Sequence, residues 1–177
     1  MNEEQIKKGN EDVELKSKNI EEIIFKVISK YCTDLDSLVS SIDKRIRENE
    51  LDSFTDEELE SYCLKLSSFM YFSAAGQELI GLKEAIASAL NKENYNNCYS
   101  NATGTIADKK ANAELNSQDT MLVELIYDRA EKMMSSKLVY ATHLLSSIKR
   151  VLNRRIEQMK MNPSTTKFKE SKDRVEV

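Results

Sequence analysis

The chain has 177 residues, 40% hydrophobic and 32% charged, with four Gly, one Pro and a net charge of −4. That is about one domain's worth of chain, and so few breakers argue against collagen-like, linker-rich or turn-rich all-β organisation. One His, no Trp and three widely spaced Cys (Cys32, Cys63, Cys98) leave too few ligands for a Cys/His zinc site or a multi-histidine catalytic apparatus.

Helix formers such as Lys, Glu, Leu and Ala prevail, so the expected fold class is all-α. Residues 1–12 are polar and carry Gly9-Asn10, which predicts a flexible tail. Residues 13–54 read as an N-terminal helical pair. The first helix carries Leu15, Ile20, Ile23, Ile24, Val27 and Ile28 at helical spacing. The second is capped by Thr33 and carries Leu35, Leu38, Val39, Ile42 and Ile46.

Residues 55–162 read as a long antiparallel helical hairpin, coiled-coil-like in texture. Thr55 to Glu58 forms a capping-box pattern. The helix it opens carries Leu59, Tyr62, Leu66, Phe69 and Met70, then Leu79, Ile80, Leu82, Ile86 and Leu90. Ala74-Ala75-Gly76 inside it predicts either a kink or the close approach of another helix. Asn, Ser and Gly concentrate in residues 94–104, which predicts the hairpin loop. Thr105, with Asp108 three residues on, caps the second arm, with a possible break near Asn116-Ser117. Met134, Leu138, Ala141, Leu145, Ile148, Leu152, Arg155 and Met159 alternate steps of four and three, a heptad seam. Pro163 stops the helix, and residues 163–177 are expected to form a disordered charged tail.

The charge is unevenly divided. Residues 1–128 hold 14 basic against 25 acidic residues, and residues 129–177 hold 12 against 5. A basic C-terminal segment suits polyanion binding or self-association, while a solvated charged face is the plainer reading. Arg150 and Arg154 are one turn apart and share a face, with Lys149 adjacent. Lys109 and Lys110 stand in a first helical turn, where the macrodipole disfavours cations, and this points weakly to phosphate contact. Arg155 falls inside the apolar seam, where pairing with an acidic residue is expected. Tyr95 and Tyr99 are read either as core or as base-stacking residues.

No phosphate-binding loop, dinucleotide fingerprint, zinc-protease motif or nucleophile elbow occurs. No catalytic residue, metal ligand or cofactor is therefore expected, and His143, between Tyr140 and Leu144, reads as a polar or half-buried helix residue. The acidic start, Met1-Asn2-Glu3-Glu4-Gln5, has no apolar segment of a signal peptide, and no run of about 18 apolar residues occurs. A cytoplasmic protein with reduced thiols and no membrane span is expected.

The stretch from Leu66 to Met161 resembles the UvsY-type recombination mediators of tailed bacteriophages. The resemblance is carried by Ser67-Ser68-Phe69-Met70-Tyr71-Phe72 and by Ala102-Thr103-Gly104-Thr105-Ile106-Ala107-Asp108-Lys109-Lys110-Ala111-Asn112-Ala113-Glu114. The Lys/Arg-containing helix from Leu138 to Arg155 completes it. It implies a homo-oligomer that binds single-stranded DNA and helps load a recombinase onto DNA covered by a single-strand-binding protein, with no cofactor. The alternative is a non-enzymatic helical protein-interaction module, such as a phage or mobile-element inhibitor of a host system.

Overall fold

The computed structural model describes residues 3–48 and 54–161, and every element among them is a helix. These are α1 (Glu3–Arg47), α2 (Asp56–Asn101), α3 (Ile106–Asn116) and α4 (Gln118–Met161). Asn91 of α2 reaches Glu124 of α4, whereas Asp56, at the other end of α2, reaches Arg155. The two arms are therefore antiparallel. On α1, Asp36 meets Lys137 and Asp43 meets Tyr140, so α1 runs parallel to α4. The result is an up-down-up bundle about 65–70 Å long, at 1.5 Å rise per residue.

The expected hairpin is present, and both predicted capping boxes form. The Glu58 amide donates to Thr55 Oγ1 at 3.1 Å, and the Thr55 amide donates back to Glu58 Oε2 at 3.0 Å. Thr105 and Asp108 repeat the arrangement at 3.3 and 2.9 Å. The connector between the arms needs one left-handed residue, supplied by Gly104 at φ 109°.

Three boundaries differ from the sequence reading. The expected N-terminal pair is one helix. The Thr33 hydroxyl donates back to the Ser29 carbonyl, one turn earlier, and so acts as a helix-interior residue, not a cap. Ile24, Ile28, Cys32, Leu35 and Ile42 then form one uninterrupted buried stripe. The same helix reaches back to Glu3, through most of the expected tail. The expected loop at 94–104 shrinks to residues 102–105, because α2 continues to Asn101. Its last turns are held by tertiary partners: Asn94 Nδ2 donates to the Asn116 carbonyl at 3.2 Å and to Thr120 Oγ1 at 3.4 Å. The Tyr95 and Tyr99 rings stack one turn apart at 6.5 Å. The break near Asn116-Ser117 is present as a turn at Ser117 (φ −97°, ψ 3°) between α3 and α4. The expected tail at 163–177, Met1-Asn2 and residues 49–53 lie outside the described residues.

The core has two centres. One joins Ile24, Ile28 and Cys32 of α1 to Ile80 of α2 and to Ile126, Ala130 and Met134 of α4. The other joins Leu35 and Ile42 to Leu59, Leu66, Ala141 and Ile148, with Phe54 closing the end. The heptad seam of α4 is thus packed from Met134 to Leu152 against this chain's own α1 and α2, with Leu138, Leu145 and Leu152 at its margins, whereas Met159 at its end is exposed. Gly76 marks a close helix approach and not a kink. A Cβ there would lie 2.4 Å from Tyr31 Cγ, and next to it the buried Ser73 hydroxyl donates to the Tyr31 carbonyl at 2.8 Å.

Acid is expected to unravel the helix ends first. Hydrogen bonds from Thr55 and then from Arg45 hold the Glu58 carboxyl below its ordinary range. Thr105 does the same for Asp108, and Ser88 and Asn91 for Glu124. Depressed carboxyls contribute stability above their ordinary pKa, which is lost as pH falls through the lowered folded values. The melting temperature, followed by circular dichroism, should be nearly flat from pH 7 to about 5 and fall below about pH 4. A rise between pH 5 and pH 3 would contradict this.

Candidate nucleic-acid interface

The outer face of α4 is built by helix periodicity. Once Ile126, Ala130, Met134, Ala141 and Ile148 are turned inward, Arg129, Lys132, Ser136, His143, Ser146, Arg150 and Arg154 all stand exposed. No carboxylate occurs between Glu131 and Glu157. Over these 25 residues, Lys132 to Ile156, α4 runs about 37 Å at 1.5 Å per residue with no acidic side chain of its own.

Five of the basic residues on this helix fall into two groups. The first is consumed by structure. Lys137 Nζ lies 2.6 Å from both oxygens of Asp36 and ties α4 to α1. Lys132 pairs with Asp128 one turn back. Arg155 donates to the Phe54 carbonyl at 2.7 Å and to Asp56 Oδ1 at 2.8 Å. It fastens the start of α2 to the end of α4, the acidic partner that its place in the seam called for. The second group comprises Arg150 and Arg154. Both are exposed, one turn apart, and neither takes part in an ion pair among the described residues.

Lys149 does not share their face. It sits about 100° round the helix, toward α2, where its charge lowers the Cys63 thiol against the larger upward push of burial. Lys109 and Lys110 are brought near neither. They open α3 at the opposite end, 40 residues or about 60 Å from Arg150. The five predicted residues therefore fall in three separate places, and on α4 only Arg150 and Arg154 make a shared surface. The hydroxyls beside them do not add donors. Ser146 and Ser147 donate to the Thr142 and His143 carbonyls of their own helix. Arg129 lies on the same outer face and was not singled out by the sequence reading. Arg129 stands between Asp128 and Glu131, outside the acid-free run from Lys132 to Ile156, so only its helical register with Lys132, Ser136, Arg150 and Arg154 could have pointed to it.

Tyr95 and Tyr99 are half-buried near the hairpin turn, beside a groove of about 370 Å³ between α2 and α3, lined by Asn91, Tyr95, Asn96, Glu114, Ser117 and Met121. Their rings lie nearly parallel, 14° apart, with centroids 6.5 Å from each other. His143 is exposed on the outer face of α4, the polar one of the two expected placements. Cys32 is buried, and burial pushes its thiol up, which disfavours the thiolate needed for chemistry. Among the described residues no cluster of His, Cys, Asp or Glu is arranged to hold a metal ion. No described helix is long and apolar enough to cross a membrane.

Comparison with known proteins returns no matching family model, no matching curated protein and no matching solved structure.

Proposed function

We propose that the protein is a non-enzymatic, cytoplasmic, single-stranded-DNA-binding protein that engages the phosphate backbone along the outer face of α4. The observation that carries this reading is the acid-free run between Glu131 and Glu157, with Arg150 and Arg154 exposed and outside the ion-pair network. An arginine that makes no structural pair keeps its planar donors for phosphate oxygens. The narrower role of recombination mediator, with a recombinase and a single-strand-binding protein as partners, rests on the UvsY-type resemblance. Lys109, Lys110 and Lys149 are secondary contacts in this reading, on other surfaces.

The test is a titration of labelled oligonucleotide at two or more salt concentrations. Affinity should fall steeply with salt as counterions are released. Arg150→Glu with Arg154→Glu should lower the magnitude of the salt slope by about 1.4, about 0.7 per lost contact on a single strand. Affinity at low salt should drop about tenfold or more, nearly independently of base sequence, since phosphate contacts position without specifying. Lys109→Glu with Lys110→Glu probes the far end of the bundle and should have the smaller effect. A folded double-arginine variant with unchanged affinity and slope would reduce this surface to a solvated face. No binding by the unaltered protein at low salt would favour the alternative, a helical protein-interaction module.

A further inference from the structure

The apolar residues of α2 do not all turn inward. Leu59, Leu66 and Ile80 are buried, but Phe72 (64%), Leu79 (50%), Leu82 (59%), Ile86 (52%) and Leu90 (54%) are exposed. Phe72, Ala75, Leu79, Leu82, Ile86 and Ala89 follow steps of three and four, a second heptad seam on the outer side of α2. The seam runs 18 residues, about 27 Å. It has polar ends, Lys65 and Ser68 on one side and Glu93 and Asn96 on the other. The first seam, on α4, is buried within the chain, whereas this one faces outward.

From these observations we infer that the outer seam of α2 is a homodimer interface, in which the α2 helices of two copies pair in parallel. Two features select a second copy as the occupant. The first is charge. With Phe72, Leu79 and Ile86 at the first apolar position of each heptad, Glu78 and Lys83 take the two flanking positions five residues apart. In a parallel pair that spacing sets Glu78 of one copy opposite Lys83 of the other, and two-fold symmetry makes the contact twice. Glu78 is exposed and has no ion pair among the described residues. Lys83 is exposed, and its ammonium lies 5.9 Å from the centre of the Tyr127 ring of α4, a loose contact that pairing with a carboxylate would replace. An antiparallel pair would not match these charges.

The second feature is area. Five half-exposed large side chains offer on the order of 500 Å² of apolar surface, toward the upper end for a single patch on a monomer. Rim residues Tyr71, Glu78, Lys83 and Lys92 bring this toward the roughly 800 Å² per partner of a stable interface. The α1 helix borders the seam without covering it: Phe72, Ala75 and Leu79 line an open groove with Lys30, Tyr31, Thr33 and Asp34 of α1, and Phe72 and Leu79 stay exposed. Dimerisation does not depend on nucleic acid, and the arginine face of α4 is a separate surface.

Sedimentation velocity of the full chain, without oligonucleotide and at physiological salt, tests this. The unaltered protein should sediment as a dimer at tens of micromolar. Leu82→Asp with Ile86→Asp should sediment as a monomer with unchanged helicity, because both side chains are exposed within one copy. Lys83→Glu should weaken the dimer about tenfold through two repulsive contacts with Glu78, and adding Glu78→Lys should restore it. A monomeric unaltered protein, or a dimer that survives the double aspartate variant, would overturn the interface. Failure of the double charge reversal to restore pairing, in a variant that still folds, would overturn the parallel arrangement.

Discussion

Leu66→Ala is expected to lower the unfolding free energy by about 3–4 kcal/mol, the middle of the range for burying a cavity of this kind. Leu66 has no exposed surface and stands where α1, α2 and α4 meet, among Leu35, Ile42, Ala141 and Ile148. Three helices that are each longer than 40 residues cannot shift locally to refill the space of one side chain. The loss is therefore expected to combine the transfer cost of the removed carbons with a residual void. Against a total stability of roughly 5–15 kcal/mol this is a large fraction. At about 2–4 °C per kcal/mol for a chain of this size, the melting temperature should fall by about 10 °C. Urea unfolding followed at 222 nm measures it. A loss below about 1.5 kcal/mol would show that the junction collapses round the gap.

Gly76→Ala and Gly81→Ala are expected to move stability in opposite directions, although the glycines are five residues apart on the same helix. Each exchange gains about 1 kcal/mol of intrinsic helix propensity. At Gly81 the added carbon would meet only the Glu131 carboxylate at 3.6 Å, an ordinary contact, so the gain is retained. At Gly76 it would stand 2.4 to 2.6 Å from Cβ, Cγ and Cδ1 of Tyr31, the inner part of that side chain, which cannot swing away. Relief requires α1 and α2 to separate, which strains the Ser73 hydroxyl bond to the Tyr31 carbonyl. Overpacking of this kind costs about 1–3 kcal/mol and more when backbones must move. The net expectation is a loss of about 1–2 kcal/mol for Gly76→Ala and a gain of up to about 1 kcal/mol for Gly81→Ala. Equal gains at both sites, measured by chemical denaturation, would mean that the helices are free to part.

The sequence by itself determined the helices and most of their punctuation. Thr55 with Glu58 and Thr105 with Asp108 are local capping arrangements, complete within four residues, so they could be read without knowing what packs where. The seam from Met134 to Leu152 was legible for the same reason, since periodicity is a property of one helix. Arg155 was legible as a paired residue from its place in that seam, though Asp56, its partner 99 residues away, was not.

Only the tertiary structure decided the rest. Thr33 can cap a helix or bond back within one, and the continuous contact of Ile28, Cys32 and Leu35 with the rest of the bundle selects the second. The polar turns from Asn94 to Asn101 stay helical because Asn116 and Thr120 supply partners from across the hairpin. Two heptad seams of similar texture met different fates. The seam on α4 is covered because α1 and α2 both lie against it, and the seam on α2 is open because it turns away from α4 and α1 only borders it, along the groove where Lys30, Tyr31, Thr33 and Asp34 face Phe72, Ala75 and Leu79. Whether an apolar stripe becomes core or surface depends on which other helix reaches it, and that is set by the lengths and packing of all the helices together.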